Sequence, residues 1–299
     1  MKILLTGCNG QLGFELQRSL AVLGEVVAMD RGRCDLADPE SIRAAMHAER
    51  PGIVVNAAAY TAVDKAEGEP ELALQVNCQG PGVMAAEAQA LGALLVHYST
   101  DYVFDGMQQT PYREGDATGP AGVYGHSKLV GEQAVGTACE RHLILRTSWV
   151  YGAHGGNFLK TMLRAMRERD ALRVVGDQTG APTGAALIAD ATAQMLGRYA
   201  SCARRGEPFP FGTYHLAAQG ETTWYDYAVL IGRLAREAGM PLKVQPEQIQ
   251  RIATDDYPLP ARRPASSRLD TGKLRSTFDL TLPPWEDGVR QVVRVLLGV

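Results

Sequence analysis

The chain has 299 residues, of which 45% are hydrophobic and 21% charged, and its formal net charge is −3 at pH 7. This length allows one large domain or two closely joined ones, and the composition is that of an ordinary globular protein. The small net charge and the lack of a lysine- or arginine-rich run argue against a nucleic-acid partner. The five cysteines are scattered without a CxxC pair, so neither a disulfide framework nor a thiolate metal site is indicated.

The sequence shows no sign of membrane attachment. No apolar run approaches the roughly 18 residues that a membrane span needs. The first residues form a strand-like stretch with neither the basic nor the apolar region of a signal peptide. We therefore expect a cytoplasmic protein.

The N-terminal half alternates short apolar runs with longer segments of helical periodicity. Helices are predicted at Phe14–Leu23 and Ile42–Glu49, the second with Asp38 as its N-cap and Pro39 in its first turn. Strands are predicted at Lys2–Thr6, Val26–Met29, Ile53–Asn56, Leu94–Tyr98 and Leu143–Arg146. This alternation predicts an α/β fold with a doubly wound parallel sheet of the Rossmann type.

The alternation loosens after Tyr151, where helices are separated by loops rich in proline and glycine. The predicted helices are Phe158–Glu168, Ala185–Tyr199, Trp224–Ala238 and Trp285–Leu297. We assign residues 1–150, with a returning segment near 176–215, to one domain. Residues 151–175 and 216–299 are predicted to form a smaller, partly interleaved C-terminal lobe that closes over the carboxyl ends of the strands.

Three glycines follow the first predicted strand and open the first helix. In this setting Gly7 permits a tight turn, Gly10 lets the backbone approach a pyrophosphate, and Gly13 lets helix and strand pack closely. The helix N-terminus offers free N–H groups and partial positive charge to the phosphates. A glycine triplet alone also occurs in ordinary turns, but strand, turn and helix in this order predict a dinucleotide-binding domain. The smaller lobe is then left to bind substrate.

The residues after the second predicted strand bear on the choice of cofactor. Asp30 ends that strand, where a carboxylate typically accepts hydrogen bonds from the ribose hydroxyls of NAD. Arg31 and Arg33 follow, and they would suit the 2′-phosphate of NADPH or simply be surface charge. The sequence therefore leaves open whether NADH or NADPH is preferred. Further along, Asp35 and Leu36 are expected to flank the adenine.

Tyr124 and Lys128 lie four residues apart, so their side chains share one face if the segment is helical. Upstream, Thr100 follows a predicted strand, at the edge where ligands gather in open α/β sheets. Carbonyl reduction needs a proton on oxygen; a tyrosine can donate it, and a nearby ammonium lowers the pKa of the phenol toward the working range. The spacing alone also fits an exposed helical pair, but beside a dinucleotide turn it predicts a catalytic trio. His97 is expected to be a packed or hydrogen-bonded strand residue.

Longer stretches make the chain resemble the dTDP-4-dehydrorhamnose reductases, a family within the extended short-chain dehydrogenase/reductase superfamily. The similarity runs nearly from end to end and rests on Val55–Asp64, Tyr98–Phe104, Tyr124–Lys128, Arg146–Tyr151, Asp177–Thr183 and Arg263–Leu269. The glycine triplet and the tyrosine–lysine pair indicate only the superfamily. The stretches that end at Phe104 and Tyr151 are specific to the family.

The resemblance implies reduction of the 4-keto group of a dTDP-linked keto-sugar, dTDP-4-dehydro-6-deoxy-L-mannose, by NADPH or NADH to give dTDP-L-rhamnose. It also implies that Thr100, Tyr124 and Lys128 are catalytic, and it raises the expectation of a homodimer. The implied substrate contacts are Thr100, Asp101, Val103, Phe104, Trp149, Asn157 and Arg263, with Trp149 packed on the sugar rather than in the core. The implied cofactor contacts are Gly7, Asn9, Gly10, Gln11, Leu12, Gly13, Asp30, Arg31, Asp35, Leu36, Ala57, Ala58, Ala59, Tyr124 and Lys128.

Some family members hold a magnesium ion between subunits, and one of its acidic ligands matches Glu15. Ala186 stands where those members carry a second glutamate, so no metal is predicted. Two alternative functions fit the same scaffold: a sugar-nucleotide epimerase or 4,6-dehydratase, and a non-catalytic regulatory subunit. Tyr102 follows Asp101 where dehydratases carry the glutamate needed for elimination, which argues against a dehydratase. The intact catalytic trio argues against a regulatory subunit.

Overall fold

The computed structural model describes residues 1–299. Its strands are β1 Lys2–Thr6, β2 Glu25–Met29, β3 Ile53–Asn56, β4 Leu94–Thr100, β5 His142–Thr147, β6 Val150–Tyr151, β7 Arg173–Val175, β8 Thr179–Gly180, β9 Thr183–Gly184, β10 Gly212–His215, β11 Thr222–Thr223 and β12 Gln250–Ile252. Its α-helices are α1 Gln11–Leu20, α2 Pro39–Glu49, α3 Val63–Ala66, α4 Pro70–Leu74, α5 Gly80–Leu91, α6 Val123–Ala138, α7 Phe158–Glu168, α8 Ala185–Arg205, α9 Trp224–Glu237, α10 Gly272–Phe278 and α11 Trp285–Leu297. A π-helical turn spans Gln75–Gln79, and short 3₁₀ turns span Asp101–Val103, Pro246–Gln248 and Thr254–Asp256.

Six parallel strands form the central sheet in the order β10-β5-β4-β3-β1-β2. The five strands predicted from the sequence are all present, with ends that differ by at most two residues. The doubly wound α/β class is therefore confirmed. Strand β10 is missing from the prediction because Gly212–His215 contains no continuous apolar run.

Both faces of the sheet are buried, and successive strand residues supply opposite faces. Ile3 and Leu5 pack with Ile188 of α8, in a core that also receives α1. Leu4, between them, points into a second core with Met46 of α2, which also receives α5 and α6. Strands buried on both faces are apolar at every position, which explains why they could be predicted as short continuous runs.

The helix ends follow local capping chemistry. The carboxylate of Asp38 accepts a hydrogen bond from the Glu40 N–H at 3.0 Å, which confirms the predicted cap of α2. Helix α1 begins at Gln11, directly after the glycine turn and three residues before the predicted start. Helices α7 and α11 have their predicted bounds, whereas α8 continues six residues further, to Arg205.

The C-terminal lobe has its own apolar core, in which Met166 of α7, Ile231 of α9 and Val289 of α11 pack together. Helix α8 and β10 return to the sheet, since α8 packs on α1 and β10 pairs with β5. Leu274 and Phe278 of α10 also join the core of the sheet, so the predicted lobe of residues 216–299 does not all pack together. No helix combines the length and apolarity required to cross a membrane.

Candidate active site

The strand order reverses at β1, which lies between β2 and β3. Ligands of open α/β sheets bind outside the carboxyl ends of the strands at such a point. A cavity of about 840 Å³ lies there, lined by the glycine turn, by residues that follow β3 and β4, and by parts of the C-terminal lobe. Its position makes this cavity the candidate active site.

The glycine turn is shaped by close backbone approach. Gly7 has φ +69°, and a Cβ there would lie 2.7 Å from the backbone nitrogen of Ala58. A Cβ on Gly13 would lie 2.0 Å from the carbonyl oxygen of Gly7, which fits its predicted packing role. Gly10 is the N-cap of α1 and provides no side-chain hydrogen bond to the helix. The N–H groups of the first turn thus stay available to an anion beside the cavity.

Only some of the acidic and basic residues that follow β2 line the cavity. Arg31, Asp35 and Leu36 line it, and the Arg31 Nε lies 3.1 Å from Asp35 Oδ2. Asp30 does not line it, and its carboxylate accepts from the Arg33 backbone N–H at 3.2 Å. The Arg33 guanidinium donates to a carbonyl of β2 at 3.0 Å. Of the two arginines, only Arg31 lines the cavity.

The predicted catalytic trio meets at the cavity. Tyr124 and Lys128 both lie on α6 and both line the cavity, so their predicted helical spacing is confirmed. Thr100 ends β4 beside them, where its hydroxyl donates to Asp101 Oδ1 at 3.0 Å and accepts from the Tyr102 N–H at 3.2 Å. A phenol, an amine and a hydroxyl thus converge from one strand end and one helix.

The electrostatics of Tyr124 differ from the sequence prediction. Burial raises the pKa of Tyr124 to about 12, the Thr100 hydroxyl lowers it, and the Asp101 charge raises it. The predicted net lowering of this pKa was wrong, because burial outweighs the effect of the nearby lysine, whose Nζ donates to the Tyr98 carbonyl at 2.7 Å. Burial in turn lowers the pKa of Lys128 to about 8, against the opposing charge of Glu132. At neutral pH the phenol therefore keeps its proton.

Asp101 is a buried carboxyl on the same edge of the cavity. Burial raises its pKa to about 6, although hydrogen bonds from Ser267 and Thr100 lower it. Its Oδ2 atom has no hydrogen-bond partner in the protein. Asp101 thus holds one buried, unpartnered carboxylate oxygen beside the site.

Two stacked indoles form another part of the cavity wall. The rings of Trp149 and Trp224 lie 3.6 Å apart between centroids, with planes 12° from parallel. Trp149 has φ +47°, which is unusual for a bulky residue. A Cβ on Gly180 would lie 2.5 Å from its ring, so Gly180 makes room for the indole. Trp224 is fixed in turn by a hydrogen bond from its Nε1 to Gln178 at 3.2 Å.

Asn157 connects this wall to the glycine turn. Its Oδ1 caps α7 by accepting from the Lys160 N–H at 3.0 Å. Its Nδ2 donates to Gln11 Oε1 at 2.8 Å, and both side chains line the cavity. The predicted substrate residue Asn157 and the predicted cofactor residue Gln11 therefore touch.

Three residues that the resemblance assigned to the substrate do not line the cavity. Val103 and Phe104 are fully buried in a separate apolar cluster, where Phe104 stacks on Tyr112 at 4.2 Å. Arg263 is bound to Asp64, with 2.7 Å between Nη2 and Oδ2. Their part in substrate binding stays a prediction from the resemblance.

Other residues of the site were missed by the sequence interpretation. Tyr60, Tyr102 and Ser148 line the cavity just after strand ends, so their position after a strand was the signal that could have found them. The pair Gly155-Gly156 lines it from a loop. Trp224 had no local signal, because only the packing of α9 brings it to Trp149.

Comparisons with known proteins agree with this geometry. The family described as RmlD substrate binding domain matches residues 1–297. A dTDP-4-dehydrorhamnose reductase of Escherichia coli (strain K12) is 49% identical over 99% of this chain and 98% of its own length. One of Burkholderia thailandensis is 48% identical over 100% of both chains.

Solved structures give the same result. A dTDP-4-dehydrorhamnose reductase from Clostridium acetobutylicum has a TM-score of 0.90 at 36% identity and covers 99% of both chains. One from Bacillus anthracis, in complex with NADP, has a TM-score of 0.86 at 34% identity, with 97% of this chain and 98% of that one covered. A Thermus thermophilus UDP-glucose 4-epimerase with NAD, at 21% identity and TM-score 0.80, shares the fold.

Proposed function

Because the chain belongs to the dTDP-4-dehydrorhamnose reductase family, we propose that it reduces the 4-keto group of dTDP-4-dehydro-6-deoxy-L-mannose. The product is dTDP-L-rhamnose, and NADPH or NADH is the reductant. One observation carries the proposal: Thr100, Tyr124 and Lys128 line the same cavity as the glycine turn. Hydride donor, proton donor and ketone would thus share one enclosed space.

The glycine turn fits a nicotinamide dinucleotide. The uncapped N-terminus of α1 offers its N–H groups to a pyrophosphate, and Arg31 and Leu36 line the end that would take the adenosine. When bound, the cofactor supplies hydride to the carbonyl carbon. We assign its contacts to Gly7, Asn9, Gly10, Gln11, Leu12, Arg31, Asp35, Leu36, Ala57, Ala58, Ala59, Tyr124 and Lys128. Gly13 and Asp30 are assigned a supporting role, in the packing of α1 and in the turn after β2.

The protein's own residues would complete the reduction by placing a proton. Tyr124 donates its phenolic proton to the carbonyl oxygen as the hydride reaches the carbon, which yields the alcohol and a phenolate. The pKa of about 12 keeps the phenol protonated until that moment. The positive charge of Lys128, one helical turn away, stabilises the phenolate, and the Thr100 hydroxyl hydrogen-bonds the substrate oxygen.

The second lobe would hold the sugar nucleotide. Trp149, backed by Trp224, gives the sugar ring an apolar face, and Asp101 and Asn157 supply polar contacts. We assign residues 1–150 and 176–215 to cofactor binding. Residues 151–175 and 216–299 are assigned to the substrate, apart from the α10 segment that packs on the sheet.

Three alternative functions are less well supported. A dehydratase would need a carboxylate base after Asp101, and Tyr102 occupies that position. An epimerase would return its hydride to the sugar, and relatives of that name share only the fold with this chain. A regulatory subunit would have no need of the intact trio Thr100, Tyr124 and Lys128.

The test is a mixture of the protein with dTDP-4-dehydro-6-deoxy-L-mannose and NADPH, in which absorbance of the reduced cofactor is followed. Stoichiometric oxidation together with dTDP-L-rhamnose as product is expected. A rearranged sugar without net oxidation would favour an epimerase. Absence of any oxidation by correctly folded protein, with NADH as well as NADPH, would contradict the reductase.

We extend the proposal to a cytoplasmic homodimer, which rests on the resemblance to the family. Sedimentation equilibrium is expected to give twice the mass of one chain. A single-chain mass at the concentration used for the assay would contradict the dimer and leave the reductase proposal intact.

A further inference from the structure

A chain of buried polar side chains joins Lys128 to the strand that precedes the glycine turn. Thr6 Oγ1 donates to Asn56 Oδ1 at 2.7 Å, and Asn56 Nδ2 lies 3.1 Å from His97 Nδ1. His97 Nε2 in turn lies 3.2 Å from Lys128 Nζ. All four side chains are at most 1% exposed. The chain runs across β1, β3 and β4 to α6, and the proposed reaction uses only its last member.

A backbone amide fixes which group donates and which accepts along this chain of hydrogen bonds. The Ala58 N–H donates to Asn56 Oδ1 at 3.2 Å, and a backbone amide cannot exchange donor for acceptor. A flipped Asn56 amide would set its NH₂ group against that N–H in a buried site, at a cost of about 1–3 kcal/mol for an unsatisfied donor. Asn56 Oδ1 therefore faces Ala58 and Thr6. The group that faces His97 is the Asn56 NH₂, which can only donate.

The direction of the chain decides which ring nitrogen of His97 carries the proton. Burial, aided by the charge of Lys128, holds the pKa of His97 well below its usual range, so the ring is neutral and carries one proton. Nδ1 accepts from Asn56, and the proton must then be on Nε2. Nε2 faces Lys128 Nζ, whose other contact is the carbonyl oxygen of Tyr98 at 2.7 Å.

We propose that His97 is a positioning residue that presents an Nε2–H to Lys128 and so stabilises the neutral amine of that lysine as an acceptor. The ammonium of Lys128 can then give a proton to the Tyr124 phenolate across the cavity that both residues line, which leaves the phenol and the neutral amine. The amine regains a proton from solvent after the product leaves. The tautomer of His97 rests on the direction of the hydrogen bonds from Ala58 and Asn56 and on the neutrality of the buried ring. Its part in turnover rests on the proposed reductase function.

Other titratable groups lie around Lys128, and one of them opposes the stabilisation of the neutral amine by His97. Glu132, one turn further along α6, favours the ammonium form, but its carboxylate is bound to Arg146 of β5 at 2.7 Å. Tyr124 on α6 and Asp101 after β4 line the same cavity. Burial is the larger influence and lowers the pKa of Lys128 to about 8, close to a working pH.

Nitrogen-15 NMR of the uniformly labelled wild-type protein tests the tautomer directly. Correlations between ring nitrogens and carbon-bound ring protons distinguish a protonated nitrogen from a bare one, and the His97 signals are those lost in His97→Gln. A protonated Nε2 with a bare Nδ1 at pH 7 is expected. A protonated Nδ1, or a doubly protonated ring, would overturn the proposal. This measurement needs no turnover, so an inactive protein would contradict the reductase function alone.

Asn56→Asp provides the second test because a carboxylate of the same shape has no donor to offer His97. The His97 proton is expected to move to Nδ1, which leaves Nε2 bare and favours the ammonium of Lys128. The alkaline limb of kcat against pH should then shift upward by about one pH unit, the scale of one hydrogen bond to a charged group. If this variant does not fold, the wild-type spectrum decides the question.

Thr192→Val is the matched control. It removes a buried hydrogen bond to the Tyr98 hydroxyl at 2.9 Å, outside the chain that ends at Lys128. We expect lower stability with an unchanged alkaline limb. Equal shifts in Thr192→Val and Asn56→Asp, or a folded Asn56→Asp whose limb and His97 signals stay as in the wild type, would overturn the proposal.

Discussion

The two walls of the cavity are built in different ways. The cofactor wall uses backbone groups from one short stretch of chain, where Gly7, Gly10 and Gly13 allow close approach. The substrate wall uses large side chains from separate helices and loops, chiefly Trp149 and Trp224. Local backbone geometry therefore shapes the wall that we propose for the cofactor, whereas the packing of separate elements shapes the wall that we propose for the substrate.

Tyr124 lines the same cavity as both walls, and its removal should have the largest effect. Tyr124→Phe deletes the only proton that the phenol can give and keeps the ring, so kcat should fall by roughly two to four powers of ten. Stopped-flow or steady-state oxidation of NADPH measures this fall. Tyr199→Phe, on α8 among packed aromatic rings, is the control and should keep near-normal turnover. If Tyr124→Phe also kept it, Tyr124 would not be the acid.

A side chain at Gly13 would block the close backbone approach to Gly7 and should disrupt the cofactor wall. In Gly13→Val the new side chain begins 2.0 Å from the Gly7 carbonyl, so the turn and α1 must separate. We expect a loss of about 1–3 kcal/mol in the free energy of unfolding, together with weaker NADPH binding. Urea denaturation and cofactor titration measure the two effects. Gly115→Ala, where an added Cβ meets nothing within 4 Å, should change neither.

The contrast between the walls also explains what could be predicted from the sequence. The five strands, the glycine turn and the pair Tyr124–Lys128 depend on residues that are neighbours in the chain, and all were placed correctly. Trp224 depends on how α9 packs against the other lobe, which no local pattern contains. Phe104 and Arg263 have the expected residue types, but Phe104 packs in a buried apolar cluster and Arg263 is paired with Asp64.

The pKa of Tyr124 could not be predicted for a related reason. Spacing on a helix shows that Lys128 is near, but it does not show that the Tyr98 carbonyl and His97 already hold the lysine. The depth of burial, which raises the pKa of the phenol, is likewise a property of the assembled fold.

Removal of the Trp149–Trp224 stack should weaken binding of the sugar nucleotide and leave cofactor binding unchanged. Trp224→Leu deletes the ring behind Trp149, and an aromatic pair contributes about 0.5–1.5 kcal/mol, so KM for the sugar nucleotide should rise about two- to tenfold. NADPH affinity should stay unchanged, and Trp224→Phe should recover most of the loss. Tyr225→Leu, the next residue on α9 and outside the cavity lining, is the control. A rise in KM for NADPH instead would mean that the stack serves the cofactor.

The smallest expected effect concerns the choice between NADPH and NADH. Arg31 lines the cavity with a side chain that is 77% exposed, whereas the Arg33 guanidinium is tied to a carbonyl of β2. Arg31→Ala should lower kcat/KM with NADPH by up to about fivefold relative to NADH, since an exposed ion pair is worth about 0.2–1 kcal/mol. Arg33→Ala, the matched control, should leave the ratio unchanged. The ratio should also fall as salt is raised in the wild type but not in Arg31→Ala, because salt screens the attraction between the guanidinium and a 2′-phosphate. If Arg33→Ala changed the ratio more than Arg31→Ala, then Arg33 and not Arg31 would face the 2′ position.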